Sequence, residues 1–224
     1  EGGLVLVIAG DMPMLTAETL KKLVLKQGSN NGPLTMLTVL SDHPRGFGRI
    51  LRDAQGGISA IVEEAQATAE ELKINELNVG AYCFESTWLW QALKKVKLSP
   101  KGEYYLTDLV AIAVEEGGKV ESIRLDDEEE ALGVNNRVHL AEAERIIRRR
   151  VNEKWMLAGV TMIDPNLVYI EEGVKIGKDT VLHPQTWLSG TMVIGEACEI
   201  GPSTLIDNST IGSECRLLAS VIEG

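Results

Sequence analysis

Ile170, Ile176, Leu182, Leu188, Ile194, Ile200 and Ile206 stand six residues apart without a miss. Neither the 3.6-residue period of a helix nor the two-residue period of a strand produces seven consecutive apolar hits at six. A parallel β-helix does, because each hexad forms one flat side of a prism and turns its apolar residue inward. Four residues after each comes Val174, Thr180, Thr186, Met192, Cys198, Thr204 and Thr210, mostly small or β-branched. Gly177, Gly195, Gly201 and Gly212 recur close to the apolar positions. The step from Ile206 to Ile211 is five residues, which predicts a corner irregularity. Three sides make one coil, so the repeats predict roughly three coils.

The first 135 residues obey a different grammar, alternating strand-like and helix-like runs as an α/β layer fold does. Leu4 to Ile8 is a continuous apolar run, the pattern of a parallel strand covered on both faces. Thr16 is placed to cap a helix carrying Leu20, Leu23 and Val24, and Leu34 to Leu40 reads as a second strand. Phe47 to Arg52 and Ile58 to Val62 flank Asp53-Ala54-Gln55-Gly56-Gly57 as a hairpin. An alanine- and glutamate-rich stretch predicts a helix before the strand Leu77 to Phe84. Ser86 then caps a helix bearing Trp88, Leu89, Ala92, Leu93 and Val96. Another helix is expected from about Tyr104 to Glu116, and a strand from Val120 to Leu125. The acidic run Asp126 to Glu130 reads as a solvated loop, with metal binding as the alternative. A long helix from about Arg137 to Leu157 follows, with Leu140, Ala143, Ile147, Val151 and Trp155 on one stripe and Gly159 closing it. Its arginines, Arg145, Arg148, Arg149 and Arg150, read as a solvated face with internal ion pairs, or alternatively as a docking surface.

The hydrophobic fraction of 44% and charged fraction of 25% exclude disorder and a disulfide-stapled scaffold. No apolar run approaches the ~20 residues of a membrane helix, and no secretory leader is visible. A net charge of −11 argues against nucleic-acid binding. It also means that a phosphorylated ligand needs local cations, a metal or a basic loop, to offset the overall field. Three cysteines without CxxC spacing read as reduced thiols of a cytoplasmic protein.

Ligands of open α/β sheets sit outside the carboxyl ends of strands. Asp11 follows the Leu4–Ile8 run beside Gly10, where a carboxylate can hold a hard cation such as Mg²⁺; a turn aspartate before Pro13 is the alternative. If Asn136 caps the long helix, Asn135 has its amide oxygen to offer a metal or ligand. Gly46-Phe47-Gly48-Arg49 reads either as a loop for close backbone approach or as a plain turn. Glu63 and Asn78, each late in a strand-like run, suit hydrogen bonds to a sugar or a structural role.

Six segments stand in order: Gly10-Asp11-Met12-Pro13, Gly46-Phe47-Gly48-Arg49-Ile50, Ile61-Val62-Glu63, Glu76-Leu77-Asn78-Val79-Gly80, Gly102-Glu103-Tyr104-Tyr105-Leu106-Thr107-Asp108 and Gly133-Val134-Asn135-Asn136-Arg137. Together with the arm helix and the repeats they resemble the bifunctional N-acetylglucosamine-1-phosphate uridyltransferase/glucosamine-1-phosphate N-acetyltransferase family over essentially the whole chain. The resemblance implies an α/β, Rossmann-like nucleotidyltransferase portion over residues 1–137, a linker helix over 138–158 and a left-handed β-helix over 159–224. It implies that Asp11 and Asn135 bind Mg²⁺, and that Gly10 contacts the nucleotide sugar. Gly48, Glu63 and Asn78 then contact the N-acetylglucosamine moiety, while Tyr105 and Thr107 line the same pocket. Val79 departs from the family's usual threonine, which implies a hydrogen bond lost near the sugar.

The implied activity is Mg²⁺-dependent uridylyl transfer from UTP to N-acetylglucosamine 1-phosphate, giving UDP-N-acetylglucosamine, in a cytoplasmic homotrimer. The parent enzyme would also acetylate glucosamine 1-phosphate with acetyl-CoA. The family's glycine-rich nucleotide loop and its later acetyl-transfer coils have no counterpart here, and the chain opens at Glu1, so both ends are expected to be cuts and the chain alone inactive. His183 belongs to an early coil and reads as a surface histidine, not the acetyl-transfer base. The rival readings are another sugar-nucleotide pyrophosphorylase with hexapeptide repeats, and a non-catalytic trimerising or regulatory chain. A metal-dependent repeat enzyme wants several histidines in the repeats, where only His183 stands.

Overall fold

The computed structural model describes residues 2–99 and 102–224. It divides into two units, Glu1–Asn135 and Asn136–Gly224. In the first, β1 (Leu4–Ile8), β2 (Leu34–Leu40), β3 (Arg49–Arg52), β4 (Ile58–Val62), β5 (Glu76–Glu85) and β6 (Val120–Arg124) form one mixed sheet. The order is β4-β3-β5-β2-β6, with β1 also on β5. Side chains of β5 alternate between faces. Leu77, Val79, Ala81 and Cys83 join Leu23 of α1 (Ala17–Ser29) in one core. Tyr82 and Phe84 join Leu89 of α2 (Ser86–Ala92) and Leu109 of α3 (Asp108–Glu115) in another. Helices therefore cover both faces, the α/β layering that the alternating pattern predicts.

Several local expectations are corrected. β1 is not a parallel strand covered on both faces: it pairs antiparallel with β5, and Leu4, Leu6 and Ile8 are exposed. An uninterrupted apolar run specifies a strand but carries no information on partner direction. The alanine- and glutamate-rich stretch forms only two short 3₁₀ turns, Glu64–Gln66 and Glu71–Lys73, because it has no apolar face to pack and hold a helix. α2 is capped by Glu85 rather than Ser86; its carboxylate accepts from the N–H groups of Thr87 and Trp88 at 2.9 and 2.7 Å. α3 starts at Asp108 rather than near Tyr104, because the residues before it make tighter three-residue turns, the N–H groups of Asp108 and Leu109 donating to the carbonyls of Tyr105 and Leu106. The acidic run folds into a short turn from which Glu130 accepts the Thr16 N–H at 3.0 Å. Thr16 itself caps α1 as expected.

In the second unit, α4 (Arg137–Leu157) begins at the Asn136 cap, whose side chain accepts from the N–H groups of Val138 and His139 at 2.9 and 3.0 Å. The expected stripe is packed in part: Val151 and Trp155, with Met156, lie on the solenoid core and Ala143 is buried, whereas Leu140 and Ile147 are exposed. Buried Asn152 holds the C-terminal half by donating to the carbonyls of Pro165 and Val168 at 2.7 and 2.9 Å. Arg148 pairs with Glu144 at 3.1 Å and lies 4.5 Å over the Tyr169 ring.

The repeats form three parallel sheets. Thr161–Met162, Val181–Leu182, Glu199–Ile200 and Arg216–Leu217 stack in one. Val168–Ile170, Thr186–Ser189, Thr204–Asp207 and Val221–Glu223 stack in the second, and Val174–Ile176, Met192–Ile194 and Thr210–Ile211 in the third. All seven residues of the six-residue series are buried. The stack is four strands deep on two sides rather than the three coils counted from the series, because Met162 precedes it and Leu217 and Ile222 extend it beyond Ile206. The preference for threonine four residues on has a physical cause. Thr180 and Thr186 are fully buried, and their hydroxyls donate to the carbonyls of Gly195 and His183 at 3.0 and 2.7 Å, so the inward polar group is satisfied. Corners take left-handed backbone at Asp179, Gln185, Ala197, Ser203, Asn208, Glu214 and Ala219; Ser203 and Asn208 are five apart, as Ile206 and Ile211 are, and so are Glu214 and Ala219.

Candidate functional site

The first unit gathers its candidate residues through a chain of short contacts. The Val134 N–H donates to the carbonyl of Asp11 at 2.8 Å, so Asp11 and Asn135, 124 positions apart in sequence, lie at neighbouring backbone positions. Both side chains are exposed. Beside them Met12 is buried, and a Cβ at Gly133 would sit 3.4 Å from its Sδ and 3.8 Å from the Phe47 ring. The Phe47 loop leads into Gly48, whose carbonyl accepts the Asn78 N–H at 2.9 Å. A Cβ at Gly48 would lie 2.8 Å from Ile61 Cγ2, 3.3 Å from the Val62 carbonyl oxygen and 3.7 Å from Glu63 Oε2, so the missing side chain lets the Gly48 backbone approach β4 closely beside the Glu63 carboxylate. Glu63 Oε1 in turn accepts the Thr107 hydroxyl at 2.7 Å.

Arg49, fully buried, ties the loop to the strand end. It donates to the Phe47 carbonyl and to Glu64 Oε2, the latter at 3.0 Å. Burial pushes the Tyr105 phenol up; a hydrogen bond with Ser99 opposes the rise, and Glu103, with a smaller contribution from Glu63, adds to it. Burial likewise raises the carboxyl of Asp108, next to Thr107. On β5, Asn78 is buried, and its Oδ1 accepts from the Gly80 N–H at 3.1 Å and the Tyr82 hydroxyl at 2.9 Å. Gly80 has φ +79°, and a Cβ there would sit 3.8 Å from Ala9 Cβ, which brings the chain just ahead of Gly10 against the same strand.

Gly48 and Asn78, and Glu63 and Thr107, are thus joined by direct contacts, Gly48 lies against Glu63, and Asp11 and Asn135 approach this group through Val134, Gly133 and the Phe47 loop, with Gly10 beside Asp11. Val79 points away from this group. Its buried side chain belongs to the core on the α1 side, on the face of β5 opposite Asn78. His183 lies in the second unit, where its ring is 3.1 Å from Glu199, itself paired with Arg216 at 2.9 Å, as a half-exposed ion-pair chain. Tyr82 and Arg49 were not legible as site residues in the sequence. The available signals were the even spacing Asn78–Gly80–Tyr82 in a strand and a cation inside an apolar strand.

Asp11 and Asn135 offer hard oxygen donors at neighbouring positions, as Mg²⁺ prefers, and that ion needs few protein ligands because it retains waters and binds substrate phosphates. The two residues fit it. No group of three or more histidine, cysteine, aspartate or glutamate side chains suited to a metal exists among the described residues. No helix among them is long and apolar enough to cross a membrane.

Residues 1–159 match the nucleotidyl transferase family. The chain is 46% identical over 221 residues to the bifunctional protein GlmU of Caldanaerobacter subterraneus, covering 98% of this chain and 48% of that protein. It is 45% identical over 219 residues to GlmU of Heliobacterium modesticaldum, with 97% and 48% covered. Against GlmU of Enterococcus faecalis it is 46% identical over 222 residues, with 99% and 48% covered. The chain spans about half the length of the curated relatives it matches. The resemblance carried by the six ordered segments is borne out.

Proposed function

Because the chain belongs to the nucleotidyl transferase family, we propose that its first unit supplies the sugar-phosphate and metal-binding part of a site that makes UDP-N-acetylglucosamine from UTP and N-acetylglucosamine 1-phosphate. The observation that carries this reading is the contact chain from Asp11 and Asn135 through Gly48 to Glu63, Asn78 and Thr107. In the reaction a phosphate oxygen of the sugar attacks the α-phosphorus of UTP. A new P–O bond forms while the bond to the β-phosphate breaks and pyrophosphate leaves.

Asp11 and Asn135 would hold Mg²⁺ through their side-chain oxygens. When bound, the ion supplies the positive charge that offsets repulsion between two anionic reactants in a chain of net charge −11. Glu63, with one oxygen engaged by Thr107, keeps the other to accept a sugar hydroxyl. Gly48 brings its backbone close beside that carboxylate, and Asn78 hydrogen-bonds the sugar from β5. No covalent nucleophile is required; the residues position the reactants and complement their charge.

We infer further that the second unit is the start of an acetyltransferase solenoid using acetyl-CoA on glucosamine 1-phosphate in the full-length protein, and that it assembles as a cytoplasmic homotrimer. The relatives are named bifunctional, which supports two activities in such proteins. The test is a ligand panel on the purified chain by ligand-observed NMR with Mg²⁺ present. UDP-N-acetylglucosamine is expected to bind in preference to UDP-glucose and dTDP-glucose, and Glu63→Ala to abolish the preference. Equal binding across the panel would favour a related pyrophosphorylase, and no binding would refute the sugar site.

A further inference from the structure

We propose that Tyr82 is a positioning residue for the sugar subsite: its hydroxyl locks the Asn78 carboxamide so that the –NH₂ group faces the ligand as a hydrogen-bond donor. The inference rests on the site reading above and extends it to a residue outside the six segments. It begins with an unambiguous atom. The Gly80 N–H can only donate, so the carboxamide atom 3.1 Å from it is the oxygen. The Tyr82 hydroxyl, 2.9 Å from the same oxygen, is then the second donor. Two donors fill the two lone-pair directions of Oδ1.

The nitrogen is left with both hydrogens. Nδ2 of Asn78 makes no hydrogen bond among the described residues, and it is not one of the enclosed polar atoms lacking a partner. It is therefore in contact with solvent, from which side a ligand group could meet it. A group held this way recognises an oxygen acceptor, a sugar hydroxyl or an amide carbonyl, and gives nothing to a ligand group that only donates.

The lock is rigid because its ring is. Tyr82 stacks on Phe84 with centroids 5.7 Å apart, and Phe84 on Trp88 at 6.3 Å. Tyr82 and Phe84 are buried in the core with Leu34, Met36 and Ile50. Phenylalanine would pack in that core equally well, and the hydroxyl has a single hydrogen-bond partner there, Asn78. Burial raises the phenol's pKa, the Asn78 hydrogen bond opposes the rise and the charge of Glu63 adds to it; the net rise keeps the proton the hydroxyl donates.

Tyr82→Phe deletes the lock and leaves the stack. The experiment follows the Asn78 side-chain –NH₂ signal of the ¹⁵N-labelled chain during titration with UDP-N-acetylglucosamine and, separately, UDP. The wild-type signal is expected to respond to the nucleotide sugar and not to UDP. Tyr82→Phe should broaden or move that signal before any ligand is added, and should weaken the nucleotide sugar about tenfold while leaving UDP unchanged, a split that general loosening of the fold would not produce. Asn78→Asp keeps the two accepted bonds but withdraws the donors, and should bind the nucleotide sugar at least as weakly as Tyr82→Phe.

Wild-type-like affinity in Tyr82→Phe, or an unmoved Asn78 signal, would overturn the role of Tyr82 while leaving the sugar site standing. Unimpaired binding by Asn78→Asp would overturn the donor assignment. Absence of any response to the nucleotide sugar in the wild-type chain would overturn the site reading and the recognition role together.

Discussion

Gly48→Ala tests whether the close backbone approach beside Glu63 is built into the fold. The new methyl would sit 2.8 Å from Ile61 Cγ2 and 3.3 Å from the Val62 carbonyl oxygen. Carbon atoms ordinarily pack at about 3.5–4.0 Å, so the overlap is on the order of 1 Å. Ile61 cannot swing clear easily, because the contact is made by a methyl on its branched Cβ and the residue lies inside β4, paired with Ile50. Overpacking of this kind costs about 1–3 kcal/mol, which lowers the melting temperature of a domain of this size by roughly 3–10 °C. The same methyl lies 3.7 Å from Glu63 Oε2, so affinity for UDP-N-acetylglucosamine should fall about tenfold or more. Calorimetry of the first transition, amide exchange in the β3–β4 hairpin and a ligand titration read the two effects separately. Ile61→Ala removes the clashing methyl, so the double variant should be less destabilised than the sum of the single ones by at least ~0.5 kcal/mol. Strict additivity, or a Gly48→Ala chain that melts and binds like the wild type, would refute the reasoning.

Within a protein of the relatives' length carrying this sequence, Asp11→Ala should slow pyrophosphate release by at least ~100-fold, about 2.7 kcal/mol of barrier, and Asn135→Ala by less, since water replaces a neutral ligand; acetyl transfer measured by CoA release should be unaffected by either. Asn152→Ala strips donors from two buried carbonyls while removing an Oδ1 that has no partner, for a net loss of about 2 kcal/mol, visible as faster amide exchange in the C-terminal half of α4. The N–H groups of Trp88 and Thr87 hold the Glu85 carboxyl below its ordinary range. The stability this adds is therefore full above the ordinary carboxylate pKa and lost as pH falls through the lowered one, and Glu85→Gln should flatten the acid limb of a melting-temperature profile. Sedimentation at micromolar concentration should give a trimer; a stable monomer would count against that assembly.

The solenoid was determined by the sequence alone, because its residues are inward-facing for a purely local reason: a side of six residues meets the axis once per turn whatever the rest of the chain does. The helix caps Thr16 and Asn136 and the terminating Gly159 were legible for the same reason, each acting within three or four residues. Tertiary structure alone decided the partner of β1, since apolar character says that a strand is buried or edged but not which neighbour it meets, and here it lies antiparallel on β5. It decided that α4 meets the solenoid core beyond Ile147, where Asn152, a polar residue beside the apolar stripe, bonds two carbonyls. It also decided which way Val79 points. A threonine-to-valine change beside Asn78 reads in sequence as a loss near the sugar, yet strand alternation turns it into the opposite core. The residues now grouped around Glu63 could be named from ordered motifs, but Tyr82, outside them, could not, and Arg49, inside one, gave no sign of its role, because a positioning residue is recognised by the group it touches, and that contact exists only after the sheet has formed.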